Sequence, residues 1–326
     1  MNVLKSFTLL LLALLFVPVM STAQTVTQIK TQPGYYRMML GQFEITALSD
    51  GTNTMPMDKL LARTSPEEIK RLLAENFLEP SVETSINAFL INTGENLILI
   101  DTGNGKQANP SVGRVLNNLK AAGYSPEQVD TLVLTHLHGD HFGGLLSEGK
   151  LAYPNATIYV SKLDSDYWLN EANLKQATGD NKATFQRVQD TFSPIKAANK
   201  LKLFSGEQQI VQGITSLPTP GHTPGHTAFW AESEGQKLLI WGDIIHVAAV
   251  QFPLPATTIS FDYDMDAAAK TRASLMADAD SKGYWVASSH ISFPGIGHVK
   301  AAQGHDGKPN GYRWIPVNYS LSGLNQ

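Results

Sequence analysis

The stretch that decides the fold reads LTHLHGDHFGG and covers residues 134–144. A short hydrophobic run, residues 129–135, leads directly into it, which is the pattern of a buried strand that ends in polar side chains. The string H-x-H-x-D-H then places four potential metal ligands close together. The plain alternative is a solvated loop of histidines. Burying that many uncompensated polar groups at a strand end would be costly without a metal, so the stretch predicts a metal site.

The spacing within this stretch predicts more than one ion. In an extended backbone His136 and His138 point to the same side, so both imidazoles can bind one metal. A turn at Gly139 directs the side chains of Asp140 and His141 toward a neighbouring point. Two adjacent metals follow from this arrangement.

Further candidate ligands follow the hydrophobic segments in the second half of the chain. Residues 219–227 read TPGHTPGHT, and the prolines and glycines restrict the backbone around His222 and His226, one of which we expect to be a ligand. Asp243 and His290 each follow a strand-like run, and the carboxylate could bridge two cations. Sites are commonly built where strands end on one edge of a sandwich, so we expect these segments to converge.

Composition excludes several classes of protein. The chain has 326 residues, 42% hydrophobic and 17% charged, which is typical of a globular protein. It contains 0 cysteines, so disulfides and thiolate ligands are excluded and any metal must be held by histidine and carboxylate. The net charge of -4 argues against a nucleic-acid partner and leaves a small molecule as the expected one.

The N-terminus has the pattern of a secretory signal peptide. Lys5 precedes an apolar run over residues 7–20, and Ser-Thr-Ala at residues 21–23 forms a cleavage site before Gln24. A membrane anchor would need about 20 apolar residues and no cleavage signature. We therefore predict a signal peptide over residues 1–23 and an exported protein, periplasmic or secreted, without stable membrane association.

The remainder, residues 24–326, alternates short strand-like and helical segments and predicts a single domain. No solenoid repeat or low-complexity linker interrupts it. Two hairpin-rich sheets with helices outside them predict an α/β fold of the αββα sandwich type. The predicted strands are residues 43–49, 85–92, 97–100, 129–135, 157–160, 227–232, 237–241 and 284–288, and the predicted helical segments are residues 112–122, 162–189 and 266–282.

At this point the chain resembles the metallo-β-lactamase superfamily, which has this fold and the same order of ligands. More closely, it is similar to the subgroup of methyl parathion hydrolase and its lactonase-like relatives. Four strings carry that closer resemblance: PGYYRMML at residues 33–40, FEITALSDG at residues 43–51, SHISFPGIGH at residues 289–298 and PVNYS at residues 316–320.

The resemblance implies seven metal ligands, arranged as two triads and one bridging carboxylate: His136, His138 and His222; Asp140, His141 and His290; and Asp243. Zinc is the default ion, although iron, cobalt and manganese also suit imidazole and carboxylate donors. The resemblance further implies that Asp101 and His226 contact ligands rather than metal.

The reaction class follows from a two-metal site. Two neighbouring cations can supply hydroxide near neutral pH, so the expected nucleophile is a metal-held hydroxide, with Asp140 and Asp243 as the catalytic carboxylates. The absence of cysteine and of a G-x-S-x-G string agrees with hydrolysis that needs no side-chain nucleophile.

The expected substrate depends on five pocket residues. Where the chain departs from the parathion hydrolase pattern it carries bulkier or more polar side chains, which favours a lactone or aryl ester, with phosphotriester cleavage as a side activity. A phosphotriesterase is the main alternative; a β-lactamase and a non-catalytic metal-binding protein are weaker ones. Native metal, oligomeric state (a homodimer included) and physiological substrate stay open. The five residues are Trp168, Phe185, His246, Ile259 and Phe261.

Overall fold

The computed structural model describes residues 26–106, 109–304 and 309–324. The chain divides into two units, Met1–Gln32 and Pro33–Gln326, and the fold described here is that of the second. The predicted signal peptide, residues 1–23, lies outside the described residues. None of the helices within the described ranges is long and apolar enough to cross a bilayer.

The described residues form strands and helices throughout. The strands are β1 (Tyr35–Leu40), β2 (Phe43–Pro56), β3 (Leu61–Ala62), β4 (Ser81–Asn92), β5 (Leu97–Ile100), β6 (Thr131–Val133), β7 (Leu146–Ser147), β8 (Lys150–Leu151), β9 (Thr157–Ser161), β10 (Leu201–Phe204), β11 (Gln209–Val211), β12 (Ile214–Pro218), β13 (Thr227–Ser233), β14 (Gln236–Ile240), β15 (Thr258–Ile259), β16 (Trp285–Ala287), β17 (Ile296–Gln303) and β18 (Pro309–Pro316). The helices are α1 (Met57–Leu60), α2 (Pro66–Glu75), α3 (Val115–Ala121), α4 (Gly139–Phe142), α5 (Lys162–Trp168), α6 (Glu171–Gln176), α7 (Gly179–Ala197), α8 (Ala248–Gln251) and α9 (Met265–Lys282).

Two seven-stranded sheets form the centre of the fold. The first has the order β1-β2-β4-β5-β6-β9-β10 and the second the order β11-β12-β13-β14-β16-β17-β18. Most neighbours are antiparallel, but β5, β6, β9 and β10 run parallel, as do β14 and β16. The predicted sandwich of two sheets flanked by helices is therefore confirmed.

Alternation along the strands explains why the sheets stack. Phe89 and Ile91 of β4 pack in a core with Phe229 and Ile240 of the second sheet, whereas Leu90 between them packs in a different core. Successive side chains in a strand point to opposite faces, so one face meets the other sheet and the other face meets the helices.

The helix side of the first sheet is covered by α3 and α7. Leu119 of α3 and Phe192 of α7 share a core with Leu90 and Leu99. β5 reads LILI and is buried along its whole length, as expected of a strand covered on both faces.

The structure differs from the predicted elements in several places, and the elements that were not predicted include β1, α2, β10, β11 and β12. The helix predicted from residue 112 begins at Val115, because Gly113, at φ +85, belongs to a turn packed against the Gly105 carbonyl. Residues 162–189, predicted as a helix-rich stretch, contain α5, α6 and the start of α7, as expected. The hairpin of β17 and β18 was not predicted, since much of β17 is exposed and lacks a clear apolar alternation.

Candidate metal centre

The predicted ligands lie where strands of both sheets end. His136 and His138 follow β6, His222 follows β12, Asp243 follows β14 and His290 follows β16. The turn after His138 becomes the short helix α4, which carries Asp140 and His141. Segments distant in sequence are thus brought to one edge of the sandwich.

One cluster contains His136, His138, His222 and Asp243, whose candidate donor atoms all lie within 4.8 Å of one another. His138 Nδ1 and His222 Nε2 are 3.0 Å apart. His222 Nε2 lies 3.2 Å from Asp243 Oδ2, and His136 Nε2 lies 3.7 Å from the same oxygen. Three imidazoles and one carboxylate oxygen therefore surround a common point.

The adjacent cluster contains Asp140, His141 and His290, again within 4.8 Å. His290 Nε2 lies 3.5 Å from Asp140 Oδ2, and His141 Nε2 lies 3.7 Å from Asp140 Oδ1. Asp243 reaches this cluster too: its Oδ1 is 3.2 Å from His141 Nε2 and its Oδ2 is 3.0 Å from His290 Nε2. The structure therefore places Asp243 between the two clusters, where the resemblance implies a bridge.

Buried polar atoms that lack hydrogen-bond partners indicate whether a metal would fit between these residues. His136 Nε2, His141 Nε2 and Asp243 Oδ1 are buried and have no hydrogen-bond partner among the described residues. Buried polar atoms are normally paired, so three orphans converging on one place indicate that something else satisfies them. Imidazole and carboxylate donors suit divalent cations, and the two clusters fit a binuclear divalent metal site.

The far nitrogens of the candidate ligands are held by protein acceptors. His141 Nδ1 donates to Asp101 Oδ2 at 2.8 Å, His222 Nδ1 to Asp262 Oδ1 at 2.7 Å, and His290 Nδ1 to the Ser85 carbonyl at 2.9 Å. A proton fixed on Nδ1 leaves Nε2 free to bind metal. Asp101 was predicted for such a role; Asp262 was not, because its partner is distant in sequence.

Both nitrogens of His226 contact the protein. Its Nδ1 lies 2.8 Å from Thr219 Oγ1, and its Nε2 accepts the Asp243 amide proton at 3.1 Å. Burial, reinforced by the neighbouring His222, lowers the pKa of His226 to about 3, which keeps the ring neutral and able to accept. The structure thus places His226 behind Asp243 and outside the clusters.

Charge is distributed unequally over the site. Burial, with His222 adding to it, lowers the pKa of His138 to about 3. Burial also opposes the charging of His141, but the carboxylates of Asp243, Asp140 and Asp101 outweigh it and raise the pKa of that imidazole. At His222, in the same cluster as His138, burial is likewise outweighed by Asp243 and Asp262, which raise the pKa of that imidazole to about 9. The protein without metal therefore has proton-binding groups in both clusters.

A cavity of about 670 Å³ opens over both clusters. Trp168, His246 and Phe261, predicted as pocket residues, line it, and so do Tyr167 and Tyr263, which the sequence reasoning missed. His246 lies closer to the metal site than a wall residue would, since its Nε2 is 3.3 Å from Asp243 Oδ2.

Two predicted pocket residues do not reach this lining. Phe185 is 2% exposed and packs behind Trp168, with ring centroids 4.6 Å apart. Ile259 is 0% exposed, because β15 pairs with β3 and buries it in a core with Met57. Both side chains belong to the core, and their assignment to the pocket was wrong.

Imidazole and carboxylate donors gathered at the edge of a two-sheet sandwich define a class of protein, the metal-dependent hydrolases. A family model described as the metallo-beta-lactamase superfamily matches residues 82–290, and the chain belongs to that superfamily. Fold and family are as predicted from the sequence.

Similar proteins narrow the class. The crystal structure of hydrolase AbOPH in the beta lactamase superfamily is 38% identical, with a TM-score of 0.83 over 89% of this chain and 100% of that one. AidC, a dizinc quorum-quenching lactonase in complex with a product, is 30% identical, with a TM-score of 0.79 over 88% of this chain and 98% of that one. At the level of the superfamily, these relatives bear out the predicted enzyme class, a metal-dependent hydrolase.

A lactonase is also among the sequence relatives. An N-acyl homoserine lactonase of Bacillus thuringiensis is 28% identical over 166 residues, which are 45% of this chain. The match spans 58% of the length of that lactonase.

Proposed function

We propose that the protein is an exported dizinc hydrolase that opens lactones, with N-acyl homoserine lactones first among the candidates and aryl esters next. The observation that carries the proposal is the pair of His/Asp clusters that share Asp243 at the base of an aromatic-walled cavity. The lactonases among its relatives support the choice of substrate. The signal-peptide pattern of residues 1–23 supports export.

The chain's own residues divide the work. The three imidazoles of one cluster and the Asp140, His141 and His290 group of the other would hold the ions, and Asp243 would join them. When bound, two divalent ions supply an activated water as nucleophile and polarise the carbonyl that it attacks. Asp140 is 27% exposed against 3% for Asp243, so Asp140 is the carboxylate that can receive and return a proton at the cavity surface.

The cavity wall suits an apolar substituent. Tyr167, Trp168, Phe261 and Tyr263 all line it, and the Trp168 ring lies 5.7 Å from the His138 ring. An acyl chain or aryl ring on this wall would gain about 25 cal/mol for each Å² of apolar surface that it buries. The lactone ring would then lie over the clusters.

A phosphotriesterase is the second candidate, because the same two-metal chemistry serves both substrates. Phe261 lies 6.3 Å from the His222 ring and 5.6 Å from the His246 ring, so it narrows the space above the clusters. A phosphotriester carries several substituents around phosphorus and needs more room than a flat carbonyl. This crowding favours the lactone.

A parallel screen tests the proposal. Purified protein is stripped with chelator, reloaded with zinc and assayed on hexanoyl-homoserine lactone, phenyl acetate, methyl parathion and nitrocefin. We expect the highest kcat/KM on the lactone or the aryl ester, loss of activity without metal and recovery with zinc. A higher kcat/KM on methyl parathion or nitrocefin would replace the proposed substrate, and no turnover of any of them would favour the non-catalytic alternative.

Export is tested separately. Expression of the full chain in a bacterial host, followed by fractionation and N-terminal sequencing, should place the protein outside the cytoplasm with Gln24 as its first residue. A cytoplasmic protein that retains residues 1–23 would contradict this part of the proposal.

A further inference from the structure

One buried carboxylate near the metal site has no place in the ligand set. Asp164 lies on α5, is 0% exposed, and accepts three hydrogen bonds. Its Oδ2 accepts from the Leu137 amide at 2.9 Å and the Thr223 hydroxyl at 3.0 Å, and its Oδ1 accepts from the Gly225 amide at 2.6 Å. All three donors come from the loops that carry candidate ligands.

The positions of these donors are specific. Leu137 lies between His136 and His138, and Thr223 follows His222. One carboxylate therefore joins the loop after β6 to the loop after β12, the two segments whose imidazoles meet 3.0 Å apart in the first cluster.

The backbone is fitted closely around this carboxylate. A Cβ added at Gly225 would overlap the Asp164 amide nitrogen and would lie 2.9 Å from Asp164 Oδ1, so only glycine fits there. Trp168 lies one helical turn beyond Asp164 on the same face of α5 and lines the cavity beside His138. The helix thus fixes two metal-binding loops and a cavity wall together.

Burying a carboxylate is costly, and burial raises the pKa of Asp164 to about 6 although its three hydrogen bonds and the nearby His222 oppose this. Hydrogen bonds to an ionised acceptor are about twice as strong as neutral ones, and here all three are made to loop atoms. Simple packing of α5 against the sheet could be achieved by an apolar side chain. The carboxylate is explained if the two loops must be held in one register.

We propose that Asp164 is a positioning residue that holds the His136, His138 and His222 imidazoles in the geometry of a single metal site. The inference rests on the proposed function, since it takes this cluster as one of the two metal sites. The Asp140, His141 and His290 cluster has its own supports, Asp101 and the Ser85 carbonyl, and the three hydrogen bonds of Asp164 go to other residues.

The test compares Asp164→Asn with Asp130→Asn. Asparagine at position 164 replaces one carboxylate oxygen with an NH2 group. That NH2 group would face a hydrogen-bond donor that now donates to the oxygen, so the bond would be lost. Asp130 is a matched control: it also joins two segments, accepting from the Leu97 amide at 2.7 Å, but it precedes β6, whereas the ligands follow that strand. Zinc affinities of the stripped proteins are measured by competition with a chromophoric chelator, alongside Tm.

We expect Asp164→Asn to lower the affinity for one of the two zinc ions by about 10- to 100-fold and to leave the affinity for the other at the wild-type value. Asp130→Asn should lower Tm and leave both affinities unchanged. Thr223→Val removes one of the three hydrogen bonds and should lower the affinity for the same zinc ion by a smaller factor. This variant allows the test to be made if Asp164→Asn does not fold.

Two results would overturn the inference: a Tm loss in the folded variants with both zinc affinities unchanged, or an equal weakening of both ions. The readout is metal binding, so it is separable from the function. If the wild-type chain binds two zinc ions but hydrolyses none of the substrates, the proposed function fails while the affinities still decide the role of Asp164. A wild-type chain that binds no zinc at the first cluster would overturn both.

Discussion

The two candidate metal-binding clusters lie side by side but differ in composition. The first offers three imidazoles, from loops 84 residues apart, and joins Asp243 through one oxygen. The second has its own carboxylate, Asp140, which faces the cavity, and lies next to Asp101. The difference suggests that the first cluster mainly holds an ion, while the second also presents a proton-accepting group to the substrate.

Removal of Asp243, which both clusters share, should have the largest effect, because it weakens metal binding in both clusters. Asp243 contacts His141, His222 and His290, and Asp243→Ala should weaken both ions together. Each divalent ion stabilises the transition state by several kcal/mol, so kcat/KM should fall by at least about 1,000-fold. Metal analysis and lactone kinetics check this; a variant that keeps both ions and activity within tenfold of wild type would contradict the bridging role.

Single ligand changes should separate the clusters. His136→Ala should remove about one ion per chain from the first cluster, and His290→Ala about one from the second, each with a loss of about 100-fold or more in kcat/KM. The control is His298→Ala, since His298 Nδ1 bonds to the Tyr284 carbonyl outside both clusters. Full metal content with normal activity in either ligand variant would remove that residue from the site.

Substitution of His222 and of His226, both in the loop before β13, shows which of the two belongs to the first cluster. His222→Ala removes a candidate ligand, whereas His226→Ala removes a ring that contacts Thr219 and the Asp243 amide. We expect His226→Ala to retain its metal and to lose about tenfold in activity, and His222→Ala to lose both. Equal and complete loss in both variants would show that a contact to the Asp243 amide is as demanding as a ligand.

The seven candidate ligands could be named because they stand in short motifs directly after hydrophobic strands and because the family resemblance selects His222 over His226. Of their supports, Asp101 was predicted from the resemblance, but Asp262 and Asp164 were not. Asp262 lies 40 residues from His222, and Asp164 lies 27 residues from Leu137, so no local pattern links them. The acceptor for His290 is a backbone carbonyl, which any residue type at position 85 would provide.

The pocket residues could be predicted only in part, for a different reason. Phe185 and Ile259 have the same hydrophobic character whether they face a cavity or a core, and only the packing of α7 and the pairing of β15 with β3 place them in the core. The fold was accessible because its strands alternate or are wholly apolar. β17 is buried mainly in its first half and lacks such a signal, and its hairpin with β18 was not predicted.

The smallest expected effect concerns substrate preference. His246→Leu with Phe261→Leu should shift the ratio of lactone to methyl parathion kcat/KM toward the phosphotriester by about 10-fold, because both side chains crowd the space above the clusters. Since His246 lies 3.3 Å from Asp243, zinc content must be shown to be unchanged. A ratio that stays constant at full zinc content would show that these side chains do not set specificity.

Whether the two clusters act as one binuclear centre is tested most directly by titrating the stripped protein with zinc while hexanoyl-homoserine lactone hydrolysis is followed in a pH-stat. Turnover should rise until two zinc ions are bound per chain and then stay constant. Full activity at one zinc per chain, or no hydrolysis at two, would contradict this expectation.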